Sequence, residues 1–216
     1  ISPLDPIYSD PIHVYHFDPL KAEKLLNAAG WSHMIDGVRH NDLGQRLEFT
    51  LMTTAGNKSR ELVEQVLQSE WAKIGAQAII KNEPARVFFG DTMTHRSNAG
   101  LSMYAWLSAP ESLPRTTLRS DNIPTEANGW SGQNYPGYAN KQMDQLIDSL
   151  ELQLNPAKRL PLWDELQNLY AEDLPALPLF FRAEAYFIPK WLRFVRPTGH
   201  MVPTTTWIEE WKYISN

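Results

Sequence analysis

Between Leu47 and Lys81 the hydrophobic period changes twice, and this switch restricts the chain to a layered α/β architecture. Leu47, Phe49 and Leu51 alternate with Glu48, Thr50 and Met52, the period of a strand with at least one buried face. From Ser59 onward Leu62, Val63, Val66, Leu67, Trp71 and Ile74 recur at helical spacing until Gly75 stops the run. Ala76 to Lys81 is then a short apolar strand. The three pieces make a βαβ unit, with the right-handed crossover that strand twist imposes.

The alternation extends to both sides. Asp18 is an N-cap, Pro19 fits a first helical position, and Ala22, Leu25, Leu26 and Ala29 line one face of a helix that ends at Gly30. A polar turn follows at Asp36-Gly37. Pro84 opens a further helix through Val87, Phe88 and Met93, and Leu101 to Leu107 reads as another strand. The expected fold class is α/β, a mixed and partly parallel sheet flanked by helices. Ser108 to Gly137 is a long loop rich in Pro, Ser, Asn and Gly, of the kind that carries function. Asn140 caps a helix striped by Met143, Leu146, Ile147, Leu150 and Leu154. Asn155-Pro156 starts another, carrying Leu160, Trp163, Leu166, Leu169 and Tyr170. Leu174 to Ile188 suits a strand or hairpin entered through Pro175 and Pro178. Trp191 to Asn216 is again aromatic and proline-punctuated, and Ile1 to Phe17, with Pro3, Pro6 and Pro11, reads as a linker.

Charge and composition narrow the function. Lys and Arg number 20 against 25 Asp and Glu, a net charge of -5, which argues against a nucleic-acid partner or an anionic membrane surface. With 0 Cys there is no disulfide, thiolate metal site or cysteine nucleophile. The longest apolar stretches, Leu101 to Leu107 and Leu174 to Phe181, fall far short of the roughly 20 residues that span a bilayer. Ile1-Ser-Pro-Leu-Asp-Pro6 has no initiator Met, basic region or apolar leader, so the chain reads as processed or as a piece of something longer.

Motifs for catalysis are missing. His13 and His16 form the one close histidine pair, but a metal needs further ligands on a fixed backbone, and two solvent-facing histidines are the better reading. The sequence lacks His-Glu-x-x-His, Gly-x-Ser-x-Gly and the P-loop pattern. Glu172-Asp173 and Glu209-Glu210 are adjacent acids that point to different faces, solvated charges in preference to a catalytic couple. The stronger signal is aromatic: 8 Trp, 8 Tyr and 8 Phe, among them Tyr104, Trp106, Trp130, Tyr135 and Tyr138 near a strand end or in the long loop. Rings so placed give broad apolar contacts to a ligand at small entropic cost. Both faces of the strand through Trp106 can be buried, so Trp106 reads equally as pocket wall or core. Trp31, Trp71 and Trp163 read as structural.

Several strings, in order, resemble the extracytoplasmic solute-binding proteins of ABC importers, in the family that binds peptides, dipeptides and nickel. They are Phe17-Asp-Pro-Leu-Lys-Ala-Glu-Lys-Leu-Leu-Asn-Ala-Ala-Gly-Trp31, Leu47-Glu-Phe-Thr-Leu-Met-Thr-Thr54 and Leu67-Gln-Ser-Glu-Trp-Ala-Lys-Ile-Gly-Ala-Gln-Ala-Ile-Ile80. Later come Ser102-Met-Tyr-Ala-Trp106, Asn134-Tyr-Pro-Gly-Tyr-Ala-Asn-Lys-Gln-Met-Asp144 and Ala171-Glu-Asp-Leu-Pro-Ala-Leu-Pro-Leu179. The resemblance implies the C-terminal lobe of a two-lobed periplasmic-binding-protein fold, type II-like, that closes on its ligand. Residues 1–17 would be the crossover from a missing N-terminal lobe, 18–195 the ligand-binding lobe, and 196–216 a segment returning toward the missing lobe.

The implied partners are a peptide or other small solute, the transmembrane subunits of an ABC permease and the missing lobe; no cofactor, metal or catalytic residue is implied. The implied place is periplasmic or extracytoplasmic, with a lipid anchor through the missing N-terminus as one route. The expected ligand-facing residues are Trp106, Ser108, Glu111, Trp130, Asn134 and Tyr135, backed by Thr53 and Thr54. Rings would form apolar walls, Ser, Thr and Asn would bond a ligand main chain, and Glu111 would pair with a charge. Family peptide binders often place an Asp shortly after the Tyr-x-Trp strand, where this chain offers Glu111. Two competing readings are the ligand-sensing domain of a cytoplasmic transcription regulator and an enzyme acting on oligosaccharides.

Overall fold

Asp18 opens the first helix, α1 (Pro19–Ala28), by accepting a hydrogen bond from the Lys21 amide at 2.9 Å, with Pro19 at the first position. The computed structural model describes residues 1–3, 5–10, 12, 14–107, 109, 111–183, 185–198 and 203–214. Within them the chain forms two compact units, one of residues 14–105 and 119–139, the other of 1–13, 106–118 and 140–216.

In the first unit, α1 buries none of its residues and leaves Leu25 exposed. Asp36-Gly37 is more than a turn: with φ of 49° and 78° it closes a tight hairpin of β1 (His33–Ile35) and β2 (Val38–His40), an addition to the expected elements. The βαβ unit is present as β3 (Glu48–Met52), α2 (Lys58–Lys73) and β4 (Gln77–Ile80), with β3 and β4 parallel. Asn57 caps α2 through the Arg60 amide at 3.1 Å, and Gly75, at φ 81°, follows its end. Phe49 meets Trp71 edge-on at 5.3 Å between ring centroids.

The stripe on α2 differs from the expected one. Leu62 and Val66 are exposed, and the single fully buried side chain of the helix is Glu64. Spacing alone does not distinguish which of two neighbouring arcs turns inward, and a carboxyl can go in when a polar partner meets it there.

After α3 (Ala85–Val87) and a π-helical turn, Phe88–Met93, the chain reaches β5 (Leu101–Ser102), parallel to β3 on the side away from β4. The strand expected over Leu101 to Leu107 is thus cut to its first two residues. Its ladder partner β3 ends at Met52, and one further bond, Met103 amide to Met52 carbonyl at 2.7 Å, completes the pairing. Gly100 lets the two strands approach: a Cβ there would lie 2.0 Å from the Thr50 carbonyl oxygen. The sheet order β4-β3-β5 puts β3 in the middle: the chain steps from β3 to β4 on one side and then crosses back past β3 to β5 on the other, so the order reverses between β3 and β5. The core beside its far end is Met52, Phe88 and Met93, with Tyr104 and Tyr135 packed on it.

In the second unit, α4 (Arg115–Leu118) precedes the helix pair α5 (Lys141–Leu152) and α6 (Pro156–Asp173). Met143, Leu146, Ile147 and Leu150 are buried with Trp163, Leu166 and Ala171, whereas Leu154 and Leu160 are exposed. Arg159 donates to the Leu150 and Gln153 carbonyls at 2.5 and 2.9 Å, closing the end of α5. The opening segment packs on α6: Ile7 is buried, and Gln167 donates to the Ile7 carbonyl at 2.8 Å and accepts from the Ser9 amide at 3.2 Å. The strand or hairpin expected at Leu174 to Ile188 is absent from the described residues, where Pro175 and Pro178 remove ladder donors and Leu177, Phe180 and Phe181 are exposed. β6 (Leu192–Arg193) and β7 (Lys212–Tyr213) pair antiparallel, joined by the Trp191–Tyr213 ring contact at 5.7 Å.

Candidate functional site at the carboxyl ends of the parallel strands

In an open parallel sheet, a crevice forms at the carboxyl ends of the strands where the order reverses, because the two connections depart to opposite sides and leave the ends between them uncovered. Here that place is the ends of β3 and β5, occupied by Thr53, Thr54, Met103 and Tyr104. The backbone is tightly tied. The Thr53 amide donates to Asn82 Oδ1 at 2.9 Å, the Glu83 amide to the Thr53 carbonyl at 3.2 Å, and the Ala55 amide to the Glu83 carbonyl at 2.7 Å.

Side chains extend the same lattice. Thr53 is buried and its hydroxyl donates to the Met103 carbonyl at 2.7 Å. Thr54 is also buried, and its Oγ1 accepts from Arg60 at 2.5 Å. Glu83 accepts from the Thr92 hydroxyl at 2.6 Å. Thr53 therefore ties the end of β3 to that of β5 and Thr54 ties it to α2, and both hydroxyls already serve protein partners.

The aromatic wall lies beside them. Tyr104 is edge-on to Phe88, Phe89 and Tyr135 at 6.3, 5.8 and 6.4 Å. Burial pushes the Tyr135 hydroxyl above its ordinary pKa, so the phenol is neutral at physiological pH and can donate a hydrogen bond. Trp130, at φ 61°, sets its ring edge-on to His95 at 4.9 Å, and His95 pairs with Asp91 at 2.8 Å. Arg96 fastens the loop: its Nε donates to the Tyr135 carbonyl at 2.9 Å.

Asn134 has another task than the one expected of it. Its side chain is 0% exposed, donates to the Arg119 and Tyr138 carbonyls at 3.0 and 2.8 Å and accepts from the Tyr138 amide at 3.0 Å. With its amide so engaged, it shapes the loop that carries Trp130 and Tyr135. Gly132 is needed in the same loop, since a Cβ there would lie 2.1 Å from the Asn122 carbonyl oxygen.

Trp106 and Glu111 belong to the other unit. Trp106 is 49% exposed, which favours a surface role over core. Glu111 is exposed, has a φ of 53°, and its amide donates to Asp5 Oδ2 at 3.2 Å. Ser108 and His13 lie outside the described residues. The acidic couples are surface groups: Asp173 accepts from Asn140 at 2.8 Å and Glu210 pairs with Arg196 at 2.8 Å. Among the described residues no group of three or more His, Cys, Asp or Glu could hold a metal ion, and no helix is long and apolar enough to cross a membrane.

Sequence reasoning missed Glu64, Asn82, Glu83 and Arg96. Asn82 and Glu83 carried one available signal, polar residues directly after an apolar strand.

The fold is shared with known proteins. The sequence model of the family described as bacterial extracellular solute-binding proteins, family 5 middle, matches residues 1–124. An oligopeptide binding protein from Thermus thermophilus, solved with a pentapeptide, superposes with a TM-score of 0.80 at 33% identity, over 89% of this chain and 34% of that one. Oligopeptide-binding AppA from Bacillus subtilis, in complex with a nonapeptide, shares the fold with a TM-score of 0.74 at 22% identity, over 99% of this chain and 41% of that one. Di/tripeptide-binding protein 2 of Pseudomonas aeruginosa is 26% identical over 83% of this chain and 32% of its own length. The chain thus spans about a third of the length of such relatives. With more than half of its residues inside the family match and the fold of the family's solved members, the chain belongs to the bacterial extracellular solute-binding proteins of family 5.

Proposed function

We propose that this chain is the ligand-capturing C-terminal lobe of an ABC-importer substrate-binding protein that takes up peptides or similar small nutrients and hands them to a membrane permease. The observation that carries the proposal is the placement of Thr53, Thr54 and Tyr104 at the carboxyl ends of β3 and β5, with Tyr135 of the following loop packed beside Tyr104, in a family with relatives named as peptide-binding. Trp130 and Tyr135 then supply apolar walls, and backbone groups at the strand ends supply donors and acceptors for a peptide main chain. Such a site tolerates varied side chains because rings and main-chain bonds read shape and backbone before sequence. Trp106, Ser108 and Glu111, on the other unit, are proposed as ligand-facing in their own right, Glu111 as partner for a ligand amine.

The same proposal makes residues 1–17 a crossover, 18–195 the binding lobe and 196–216 a returning segment, with the protein acting outside the cytoplasm. Capture would follow from a ligand that contacts both lobes and so favours the closed state. The test is isothermal titration of the complete protein with tri-alanine and penta-alanine at neutral pH, beside maltotriose and nickel-histidine. Saturable peptide binding that Tyr135→Ala weakens up to about tenfold supports the proposal, one well-placed ring contact being worth about 0.5–1.5 kcal/mol. Binding of the sugar or the nickel complex alone refutes the peptide reading.

A further inference from the structure

The one fully buried side chain of α2 is an acid, in a helix whose Leu62 and Val66 face solvent. A carboxyl is costly to bury, and its position calls for a partner that repays the desolvation. Glu64 has one: Asn82, just past the end of β4, donates from Nδ2 to Glu64 Oε2 at 2.8 Å. Glu64 Oε1 is buried without a hydrogen-bond partner. The other end of the Asn82 amide faces the sheet, where Oδ1 accepts from the Thr53 amide at 2.9 Å. Thr53 in turn donates from its hydroxyl to the Met103 carbonyl at 2.7 Å.

The connection is continuous: α2, the end of β4, the end of β3 and the end of β5 are joined through one amide side chain and one hydroxyl. An asparagine amide can flip by half a turn about its last torsion, exchanging donor for acceptor, and only its partners decide the orientation. Glu64 accepts and does not donate toward Asn82 Nδ2, so it forces the amide to present its oxygen to Thr53. Without an acceptor at position 64, Asn82 Nδ2 loses that partner and the Thr53 amide alone is left to hold the side chain, so the bond to Thr53 opens more readily.

We infer that Glu64 is a positioning residue for the ligand-facing rim, fixing through Asn82 the register of Thr53 against Met103. The inference rests on the proposed placement of the ligand at these strand ends. It explains why an acid occupies a position where a leucine would pack: the site requires a directed acceptor, and volume alone does not supply one.

Two variants of the full chain separate this role from simple packing. Glu64→Gln keeps an acceptor within reach of Asn82 Nδ2, and Glu64→Leu fills similar volume with none. Amide hydrogen exchange at Thr53 is read first, since it needs no ligand. Exchange is expected to quicken about fivefold to tenfold in Glu64→Leu, the factor implied by one lost net hydrogen bond, and to stay at the parental rate in Glu64→Gln. Penta-alanine affinity is read second. It should weaken by a similar factor in Glu64→Leu while the melting temperature holds or rises, and recover in Glu64→Gln. Parental Thr53 exchange in Glu64→Leu overturns the inference, as does equal acceleration in both variants. If the parent protein binds no penta-alanine, the peptide reading fails and the exchange result still decides the role of Glu64.

Discussion

Arg96 offers a sharp test of how the loop bearing Trp130 and Tyr135 is held. Its guanidinium donates to the Tyr135 carbonyl at 2.9 Å, and a second contact to the Pro136 carbonyl, at 3.5 Å, is too long to add much. The guanidinium lies over Gly137, where a Cβ would come within 2.0 Å of Nη2. Arg96 itself sits at φ 52°, a region that costs a residue with a Cβ about 1 kcal/mol. The hydrogen bond to the Tyr135 carbonyl is exposed, so the charged donor contributes at the low end of its range, about 1.5 kcal/mol. Arg96→Ala removes the bond and keeps the strain, so global stability should fall by about 1.5 kcal/mol. Arg96→Gly removes both, so its net loss should be only about 0.5 kcal/mol. Local opening of the loop should rise about tenfold in each variant, because each lacks the same tether. Urea denaturation reads the global difference, and limited chymotrypsin cleavage after Trp130 or Tyr138 under native conditions reads the local one, the Tyr135 bond being protected by Pro136. If cleavage in Arg96→Ala stays within about twofold of the parent, or if the two variants are equally destabilised, the reasoning is refuted.

Two further outcomes are expected. Arg39 is buried and donates to the Ile74 carbonyl, the Asn27 side chain and the Trp31 carbonyl at 2.6, 2.5 and 2.8 Å, tying together the C-terminal ends of α2 and α1. Arg39→Met should cost about 3 kcal/mol and lower the Tm by roughly 6–12 °C in circular dichroism; a change under about 2 °C would show the ties to be dispensable. Desolvation raises the Glu64 carboxyl above its ordinary value of 4.5, the Glu61 charge adds to this, and Asn82 and Arg60 oppose it. The folded chain then binds this proton more tightly than the unfolded chain, so stability from this group is full below 4.5 and declines as pH rises through the raised value. Glu64→Gln should therefore flatten the stability-versus-pH curve on the alkaline side of 4.5, measured as denaturation midpoints across a pH series; parallel curves would count against the shift.

The parts of the fold most legible in the sequence were those fixed by local chemistry. Asp18, Asn140 and Asn155 all cap helices as their positions imply, because a short polar side chain before an apolar stripe has few better uses. Parallel pairing of β3 and β4 followed from the period switch between them. What local pattern could not contain was the extent of β5 and the irregular course of Leu174 to Ile188, since strand length depends on a partner elsewhere in the chain. The site shows the same division. The strand-end threonines and the loop tyrosine Tyr135 could be singled out from position and residue type, whereas the buried, fully engaged amide of Asn134 depends on the Arg119 and Tyr138 backbone that surrounds it. Glu64 was invisible for a physical reason: a helical acid reads as solvated until the partner that meets it inside is known.

The outer strand β5 engages the central strand only from Leu51 onward, through two ladder pairs and the Met103 amide, while β4 runs alongside β3 for its length and onward through Asn82 and Glu83. The framework is therefore clamped at its carboxyl rim and comparatively slack at the opposite margin. The 119–139 loop bears on the clamped margin alone, through the Tyr135 ring against Tyr104 and the Arg96 tether, so its replacement would be felt there first and at the slack margin last.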